Sequence, residues 1–354
     1  MSLGNLSTAQ QLIKDHSIAL TSSLAVLLSV LVFGMGWFSK PTYQPKGKHC
    51  YITGGTQGLG KALAESLVKQ GAHVTVVARD VKKGERVEAE LKALASPGQK
   101  VRFISADLID SHAAEQALIQ ASEPFGGVAP DYVLMCAGFS RPKFFVEASS
   151  QELRDGFDGN YWVSAWTAHT AAKMMVKQRR TGKIVFVSSF LGYASFAGYS
   201  TYSPGKYALR GLADALRNEM ILHNIDIHIF MPCGILGPGH DAECAEKPAL
   251  TAKIEEGDTP IQPEECARYL ESGLRKGHYQ ITDNLVCDFV RLRSNAGVPT
   301  NNVLLDTFYL LVSTIGVPIW RMTADASVKK FKKSVEADLE AKRFYDAPAT
   351  TNFK

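Results

Sequence analysis

The sequence has few cysteines, and they form no pattern that would bind a metal or build a disulfide framework. No two of them make a CxxC pair, and no set of cysteines and histidines has zinc-ligand spacing: Cys50, Cys136, Cys233, Cys244, Cys266 and Cys287. Disulfide frameworks stabilise small secreted domains, whereas this chain has 354 residues. We therefore predict reduced thiols facing the cytosol and no metal site.

Basic tracts interleaved with aromatic residues, internal repeats and low-complexity segments are also missing. The net charge is only +4, which argues against nucleic acid as a partner. With 45% hydrophobic and 21% charged residues, the chain is not disordered as a whole. These absences leave an ordinary globular domain with attachments at its ends.

Charge is absent from one long stretch near the N-terminus. The 22 residues from Ser17 to Phe38 contain no charged side chain, and about 20 apolar residues suffice to cross a bilayer. We expect a transmembrane anchor at about 17–38, within an N-terminal segment 1–40; a cleaved signal peptide is the alternative. Lys40, Lys46 and Lys48 follow the stretch, which places the rest of the chain in the cytosol.

From residue 41 to residue 290, short apolar runs alternate with amphipathic stretches. The runs predict buried strands of a parallel sheet: His49–Thr53, His73–Ala78, Val101–Ser105, Tyr132–Cys136, Lys183–Ser188 and Asp226–Met231. The stretches predict helices: Leu59–Lys69, Lys82–Ala95 and Leu212–His223. This alternation predicts an α/β fold with a doubly wound, Rossmann-type parallel sheet, whose ligands bind beyond the carboxyl ends of the strands.

A glycine-rich string joins the first predicted strand to the first predicted helix. Glycines at this place let the backbone approach a pyrophosphate, while the helix N-terminus supplies N–H donors. The predicted cofactor-binding residues are Gly54, Gly55, Thr56, Gln57, Gly58, Leu59 and Gly60. The string is informative because it follows a strand and precedes a helix.

The end of the second predicted strand bears on which dinucleotide binds. Arg79, helped by Lys83, can pair with a 2′-phosphate, which favours NADPH over NADH. Asp80 leaves NADH open, because an acid there could face the ribose hydroxyls. Asp107 and Leu108, after the third strand, are placed to contact the adenine.

Tyr202 and Lys206 lie four residues apart at the predicted start of a helix, and therefore face the same side. A lysine ammonium beside a phenol stabilises the phenolate, so we expect the pKa of Tyr202 to fall toward neutral pH. Tyr202 would then donate a proton to a ketone that accepts hydride. Ser189, at a predicted strand end, would stabilise the developing alkoxide.

Together these motifs resemble the short-chain dehydrogenase/reductase family, from about Lys48 to about Asp283. The resemblance implies that Lys206 also binds the nicotinamide ribose and that Asn160 holds a water that resupplies protons. It adds Ala137 and Gly138, after the fourth strand, to the cofactor site, with Cys136 where the family has asparagine. It also implies a homo-oligomer formed through the helices that carry Asn160 and Tyr202.

Two features depart from the family's pattern. The Pro-Gly pair after the sixth strand is Pro232-Cys233-Gly234 here, which puts the usual nicotinamide contacts in doubt. The segment from Cys233 to Gln262, rich in glycine, proline and charge, is expected to be a mobile cover over the ligand.

The C-terminal extension, 291–354, contains an apolar segment at 303–320 and a basic cluster, Lys329-Lys330-Phe331-Lys332-Lys333. A full membrane crossing would put the basic cluster outside, against the positive-inside tendency. We therefore expect an interfacial or re-entrant segment; a buried amphipathic helix is the alternative.

Within the family, the anchor, Arg79 and the apolar extension resemble membrane-bound reductases of long-chain bases in sphingolipid synthesis. This implies NADPH-dependent reduction of a long-chain keto lipid at the endoplasmic reticulum membrane, with the catalytic domain facing the cytosol. Reductases of steroid, retinoid or acyl-chain ketones remain an alternative. A non-catalytic nucleotide-binding scaffold is a further one, although intact Tyr202 and Lys206 argue against it.

Overall fold

A seven-stranded parallel sheet forms the centre of the protein, as seen in a computed structural model that describes residues 43–294 and 300–342. In chain order the strands are β1 His49–Thr53, β2 His73–Ala78, β3 Val101–Ser105, β4 Tyr132–Met135, β5 Gly182–Val187, β6 Ile225–Met231 and β7 Gln280–Thr282. Their spatial order is β3-β2-β1-β4-β5-β6-β7. The predicted doubly wound, Rossmann-type sheet is confirmed.

The six predicted strands agree with β1 to β6 to within one residue at each end. Strand β7 was not predicted, because its three residues are too few to show a pattern. It pairs with the end of β6, where Ile229 lies opposite Gln280.

Helices cover both faces of the sheet, and their bounds are α1 Gly58–Lys69, α2 Val81–Leu94, α3 Ser111–Ser122, α4 Ser150–Phe157, α5 Val163–Lys177, α6 Ser203–Met220, α7 Pro238–Glu246, α8 Ala249–Ile254, α9 Pro263–Arg275, α10 Leu285–Arg293 and α11 Val303–Ala341. A π-helical turn, Asp158–Trp162, joins α4 to α5. Helix α6 includes both the predicted Tyr–Lys helix start and most of the stretch Leu212–His223.

The strands alternate their side chains between two hydrophobic layers, as the two-residue period of a strand requires. In β1, Tyr51 belongs to one layer together with residues of α3, α5 and α6. Its neighbours Cys50 and Ile52 belong to the other, together with residues of α1, α2 and α9. Both faces are therefore covered, which explains why the strands are mostly apolar on both faces.

The strand order reverses between β1 and β4, so the loops after these strands diverge and leave a crevice between them. The loop after β4 is tied to the end of β1, because the Cys136 N–H donates to the Thr53 carbonyl at 3.2 Å. The Ala137 N–H likewise donates to Thr53 Oγ1 at 3.2 Å. The fold thus leaves a crevice at the place where the sequence predicts a ligand site.

The apolar segment 303–320 is the first half of α11, which continues to Ala341. It is long and apolar enough to cross a membrane, and only 11% of its residues are buried. A buried ion pair attaches it to the domain: Arg291 on α10 donates to Asp306 at 2.7 Å. Because most of the segment is exposed, its interpretation as a buried helix is wrong.

The predicted anchor at 17–38, and the segment 1–40 that contains it, lie outside the described residues.

Candidate active site

A single cleft of about 1310 Å³ runs along the carboxyl ends of the strands. Nearly all the residues predicted for the site line this cleft: Gly54, Thr56, Gln57, Gly58, Leu59, Gly60, Arg79, Lys83, Asp107, Leu108, Ala137, Gly138, Ser189, Tyr202 and Lys206. Gly55 packs instead against β2, where a β-carbon would lie 2.6 Å from Val76 Cγ1. Asn160 lies behind the wall, next to Gly138.

The glycine-rich turn is shaped by close backbone approaches. Gly54 has a φ of +65°, and a β-carbon there would lie 2.8 Å from the Ala137 nitrogen. A β-carbon on Gly60 would lie 2.4 Å from the Gly54 carbonyl oxygen. Within the described residues, the Gln57 side chain makes no capping hydrogen bond to α1. The first residues of α1, Gly58 to Gly60, line the cleft, where the N–H groups of a helix start can bind a phosphate.

The groups after β2 are arranged to accept an anion. Asp80 caps α2, because its carboxylate accepts the Lys83 N–H at 3.0 Å. An acid engaged by its own helix is poorly placed to hold ribose hydroxyls. The Arg79 guanidinium is exposed in the cleft, 4.0 Å from the Asp107 carboxylate. The arrangement leaves a cationic side chain at this end of the cleft.

Tyr202, Lys206 and Ser189 come together at the other end of the cleft. Tyr202 is the N-cap of α6, and Lys206 lies one turn later. The Lys206 Nζ lies 5.4 Å from the centre of the Tyr202 ring and donates to the Val187 carbonyl at 3.2 Å. Ser189, just beyond β5, shares a side-chain hydrogen bond with Tyr202.

The expected fall in the pKa of Tyr202 is wrong for this structure. Burial raises the pKa of Tyr202 above its ordinary value, and the hydrogen bond from Ser189 only partly opposes this rise. Burial also lowers the pKa of Lys206 to about 8. The Lys206 ammonium donates to the Val187 carbonyl and is not among the groups that lower the pKa of Tyr202, so the predicted fall does not occur.

Asn160 lies on the π-helical turn, a feature often found at functional sites. Its Nδ2 donates to the carbonyls of Phe139 and Gly156, both at 2.8 Å. Its Oδ1 is buried and has no hydrogen-bond partner in the described part of the chain. A β-carbon on Gly138 would lie 2.9 Å from this oxygen and 3.3 Å from Lys206 Nζ. The oxygen is thus available to accept a hydrogen bond on the lysine side of the site.

The expected mobile cover, from Cys233 to Gln262, contains two short helices, α7 and α8, that border the cleft. The Tyr199 hydroxyl lies 2.6 Å from carboxylate oxygens of both Glu243 and Glu255. Lys247 pairs with both carboxylates. Because the rings of Tyr199 and Tyr202 lie 6.1 Å apart, this network fixes the cover beside the candidate proton donor.

Sequence reasoning missed this network, because Tyr199 is more than 40 residues from the two glutamates and the residues follow no motif. It also missed the contact of Phe190 with Trp320, whose rings meet edge to face at 6.1 Å. This contact brings α11 to the residue that follows Ser189.

Comparison with known proteins agrees with the geometry. Residues 48–247 match the short chain dehydrogenase family. The chain belongs to this family. The match also indicates an oxidoreductase with a nicotinamide cofactor.

Among curated relatives, the 3-ketodihydrosphingosine reductase TSC10 of Cryptococcus neoformans is 66% identical over 91% of this chain and 98% of the relative. The 3-dehydrosphinganine reductase of Danio rerio is 35% identical over 68% of this chain and 73% of the relative. A short chain dehydrogenase/reductase from Burkholderia phymatum, solved in complex with NAD, superimposes with a TM-score of 0.63. It covers 73% of this chain and 99% of its own at 20% identity, which supports the fold.

Replacing Gly60 by alanine should weaken binding of the reduced nicotinamide cofactor, because the new β-carbon would push α1 away from the turn. Overpacking of this kind costs about 1–3 kcal/mol of folding stability, and the displaced turn should raise the dissociation constant by roughly tenfold, the loss of one hydrogen bond of about 1.4 kcal/mol. Titration of NADPH fluorescence measures it. Gly211→Ala, in α6 with no atom within 4 Å of the new carbon, is the control. Unchanged binding in a folded Gly60→Ala variant would contradict the assignment of the turn.

Proposed function

We propose that this protein reduces 3-ketodihydrosphingosine to dihydrosphingosine with NADPH, as a step of sphingolipid synthesis. The observation that carries the proposal is the meeting of Ser189, Tyr202 and Lys206 in the cleft that begins at the glycine-rich turn. The substrate follows from the relatives, since the one from Cryptococcus neoformans matches 91% of this chain.

The residues of the site divide the work of a ketone reduction. NADPH, when bound, supplies the hydride that reduces the keto carbon. Tyr202 donates its phenolic proton to the keto oxygen as negative charge develops there. Ser189 hydrogen-bonds the same oxygen and stabilises that charge. The role of Tyr202 requires a protonated phenol, which its raised pKa provides at neutral pH.

Lys206 and Asn160 restore the proton. The Lys206 ammonium, one helical turn from Tyr202, stabilises the phenolate that remains after proton donation. The unpartnered Asn160 Oδ1 lies next to the lysine and accepts a hydrogen bond from a water that carries the returning proton. Lys206 also holds the ribose of the cofactor.

NADPH rather than NADH is proposed because the groups around the ribose subsite are basic. Arg79 is exposed in the cleft and Lys83 also lines it. Asp80, the acid that could have held a diol, is engaged as the cap of α2.

The proposed substrate carries a long alkyl chain, and α11 offers a surface for the bilayer that contains it. Exposed large apolar side chains recur every three or four residues and so form one stripe along the helix: Leu304, Phe308, Leu311, Ile315, Ile319 and Met322. The basic cluster, with Lys329 and Lys333 at its ends, continues the helix and suits anionic headgroups.

An interfacial position for α11 is favoured over a crossing. Its other face is held by the domain, since Asp306 and Ser313 are buried and Val317 packs against the core. A crossing would break these contacts. The Phe190–Trp320 contact joins α11 to the substrate end of the cleft, so a lipid leaving the bilayer would enter beside Ser189. We place the protein on the endoplasmic reticulum membrane with its catalytic domain in the cytosol.

Reductases of steroid, retinoid or acyl-chain ketones would use the same catalytic groups, so a substrate panel is needed to separate them. A non-catalytic scaffold is disfavoured, because proton donor, lysine and serine share one cleft.

Association into a homo-oligomer through α5 and α6 stays a prediction. It is supported by the partly exposed Trp162 and Trp166, whose rings stack at 4.4 Å, and sedimentation in detergent would test it.

Purified protein given 3-ketodihydrosphingosine should consume NADPH, and Tyr202→Phe should lower kcat by about 10²–10⁴-fold, because the proton donor is lost. The measurement is product formation, followed by mass spectrometry. Tyr161→Phe, outside the cleft lining, is the control. Faster turnover of a steroid, retinoid or simple acyl-chain ketone would redirect the substrate assignment. Full activity of Tyr202→Phe would refute the role of the tyrosine.

The value of kcat/KM for ketone reduction should fall as the pH rises through about 8, the pKa of Lys206. The lysine is charged below this pH and can stabilise the phenolate, whereas above it the charge is lost. We expect a loss approaching tenfold per pH unit on the alkaline side. Melting temperatures recorded at each pH control for unfolding. A profile that stays flat to pH 10 would contradict the assignment.

Arg79→Ala should raise the dissociation constant of NADPH by roughly tenfold to a hundredfold, because a charge-assisted contact to the 2′-phosphate is lost. The dissociation constant of NADH should change little. Fluorescence titration with both cofactors provides the test. Lys82→Ala, an exposed lysine outside the cleft lining, is the matched control. Equal weakening of both cofactors would argue against a 2′-phosphate contact.

The double substitution Leu311→Glu and Ile315→Glu should raise KM for vesicle-embedded substrate by at least roughly tenfold, since even one leucine-sized side chain gains about 1.5–3 kcal/mol on burial. The predicted anchor would keep the variant on the vesicle, so the measured quantity is KM for the embedded lipid. Activity on substrate in detergent micelles should not change. Leu222→Glu, at an exposed apolar residue after α6, is the control. If activity in detergent falls while KM for the embedded lipid does not change, α11 is not the bilayer contact.

A further inference from the structure

Two cysteines that are far apart in the sequence meet at the wall of the cofactor cleft. The sulfur atoms of Cys233 and Cys287 lie 3.0 Å apart, although 54 residues separate them. Cys233 stands in the loop after β6, lines the cleft and is partly exposed. Cys287 is buried on α10, directly behind it. Cys233 is the middle residue of the Pro-Cys-Gly sequence that departs from the family's Pro-Gly.

Local hydrogen bonds hold both cysteines in place. The Cys233 N–H donates to the Asp283 carboxylate at 2.8 Å, and the Cys287 N–H donates to Asn284 Oδ1 at 2.9 Å. The Asn284 amide also donates to the Cys233 sulfur at 3.0 Å. A disulfide has a sulfur–sulfur distance of about 2.05 Å. The two sulfurs therefore need to approach by only about 1 Å.

A metal site is the competing interpretation, because Asp283 lies close enough to complete a set of three ligand side chains. Zinc at about 2.3 Å from each of two thiolates in tetrahedral geometry separates the sulfurs by about 3.8 Å. The observed 3.0 Å is well below that separation. Metal ligands must also be deprotonated, whereas burial and the neighbouring Cys233 raise the pKa of Cys287. The geometry favours a thiol pair.

We propose that Cys233 and Cys287 are a redox-sensitive pair that hydrogen peroxide converts to a disulfide, and that the disulfide weakens NADPH binding. The second part rests on the proposed function. Cys233, the accessible member, attacks the peroxide as thiolate and becomes a sulfenic acid, with release of one water. The Cys287 sulfur then displaces the hydroxyl as a second water. Two thiols are oxidised to one disulfide, and one peroxide is reduced to two waters.

The link to cofactor binding is the position of the loop. The Phe190 N–H donates to the Pro232 carbonyl at 2.8 Å, so the residue before Cys233 is connected to the segment that carries Ser189. On the other side, the Ile261 N–H donates to the Gly234 carbonyl at 3.0 Å. Movement of Cys233 toward α10 by about 1 Å would displace this wall. Misplacement on this scale can cost about 10²-fold at an active site.

The test uses full-length protein in detergent, treated with hydrogen peroxide, alkylated and digested. Mass spectrometry should find the peptides of Cys233 and Cys287 joined and two hydrogens lighter than their reduced sum. The dissociation constant of NADPH should rise at least tenfold and return after dithiothreitol. In a dithiothreitol redox buffer, NADPH at saturation should shift the equilibrium from the disulfide toward the two thiols, because coupling between two equilibria is reciprocal.

Two variants separate the pair from other thiol chemistry. Peroxide should not change the dissociation constant of NADPH for the Cys287→Ser variant. Cys244→Ser, which removes an exposed cysteine outside the pair, should respond as the wild type does. The proposal is overturned if no joined peptide forms, if it forms without a change in NADPH binding, or if Cys287→Ser responds like the wild type. None of these readouts needs turnover of the keto lipid, so failure of the substrate assignment would be seen separately.

Discussion

The backbone of the glycine-rich turn lies against the backbone of the loop after β4, so closely that a β-carbon on Gly54 would be 2.8 Å from the Ala137 nitrogen. This contact exists because β1 and β4 are neighbours at the point where the strand order reverses. It sets the floor of the cleft, and the other parts of the site are placed relative to it. Gly138 follows Ala137 and lies beside both the Asn160 oxygen and the Lys206 ammonium. One close approach thus connects the phosphate end of the cleft to the proton-transfer end.

Burial governs the chemistry at the second end. It raises the pKa of Tyr202 and lowers that of Lys206 to about 8, so that near neutral pH the phenol is protonated and the lysine still carries charge. These are the protonation states that reduction of a ketone requires, since the oxygen must receive a proton as the carbon receives hydride. The same chain places an exposed apolar helix beside this site through Phe190 and Trp320. A proton donor with an exposed apolar helix beside it suits the long-chain substrate proposed above.

Much of this could be predicted from the sequence, because the deciding signals are local. Six strands are apolar runs of four to seven residues, and the turn and the Tyr–Lys pair are short motifs whose flanking elements fix their places. The rest depends on contacts between distant residues. The pKa of Tyr202 follows from burial and from where Lys206 points, the Tyr199 network joins residues more than 40 positions apart, and the Cys233–Cys287 pair spans 54. The sequence predicts that α11 is apolar. Which face of α11 packs on the domain and which face is exposed follows only from the contacts of Asp306 and Val317.

The most direct test of the central claim follows the hydride itself. Protein given 3-ketodihydrosphingosine and NADPH dideuterated at C4 of the nicotinamide should form dihydrosphingosine with one deuterium, located at C3 by fragmentation in a mass spectrometer. This result would establish that the cleft brings cofactor and keto lipid together for a direct transfer. Oxidation of NADPH without deuterium in the lipid, or a folded protein that binds NADPH but forms no dihydrosphingosine, would contradict the account.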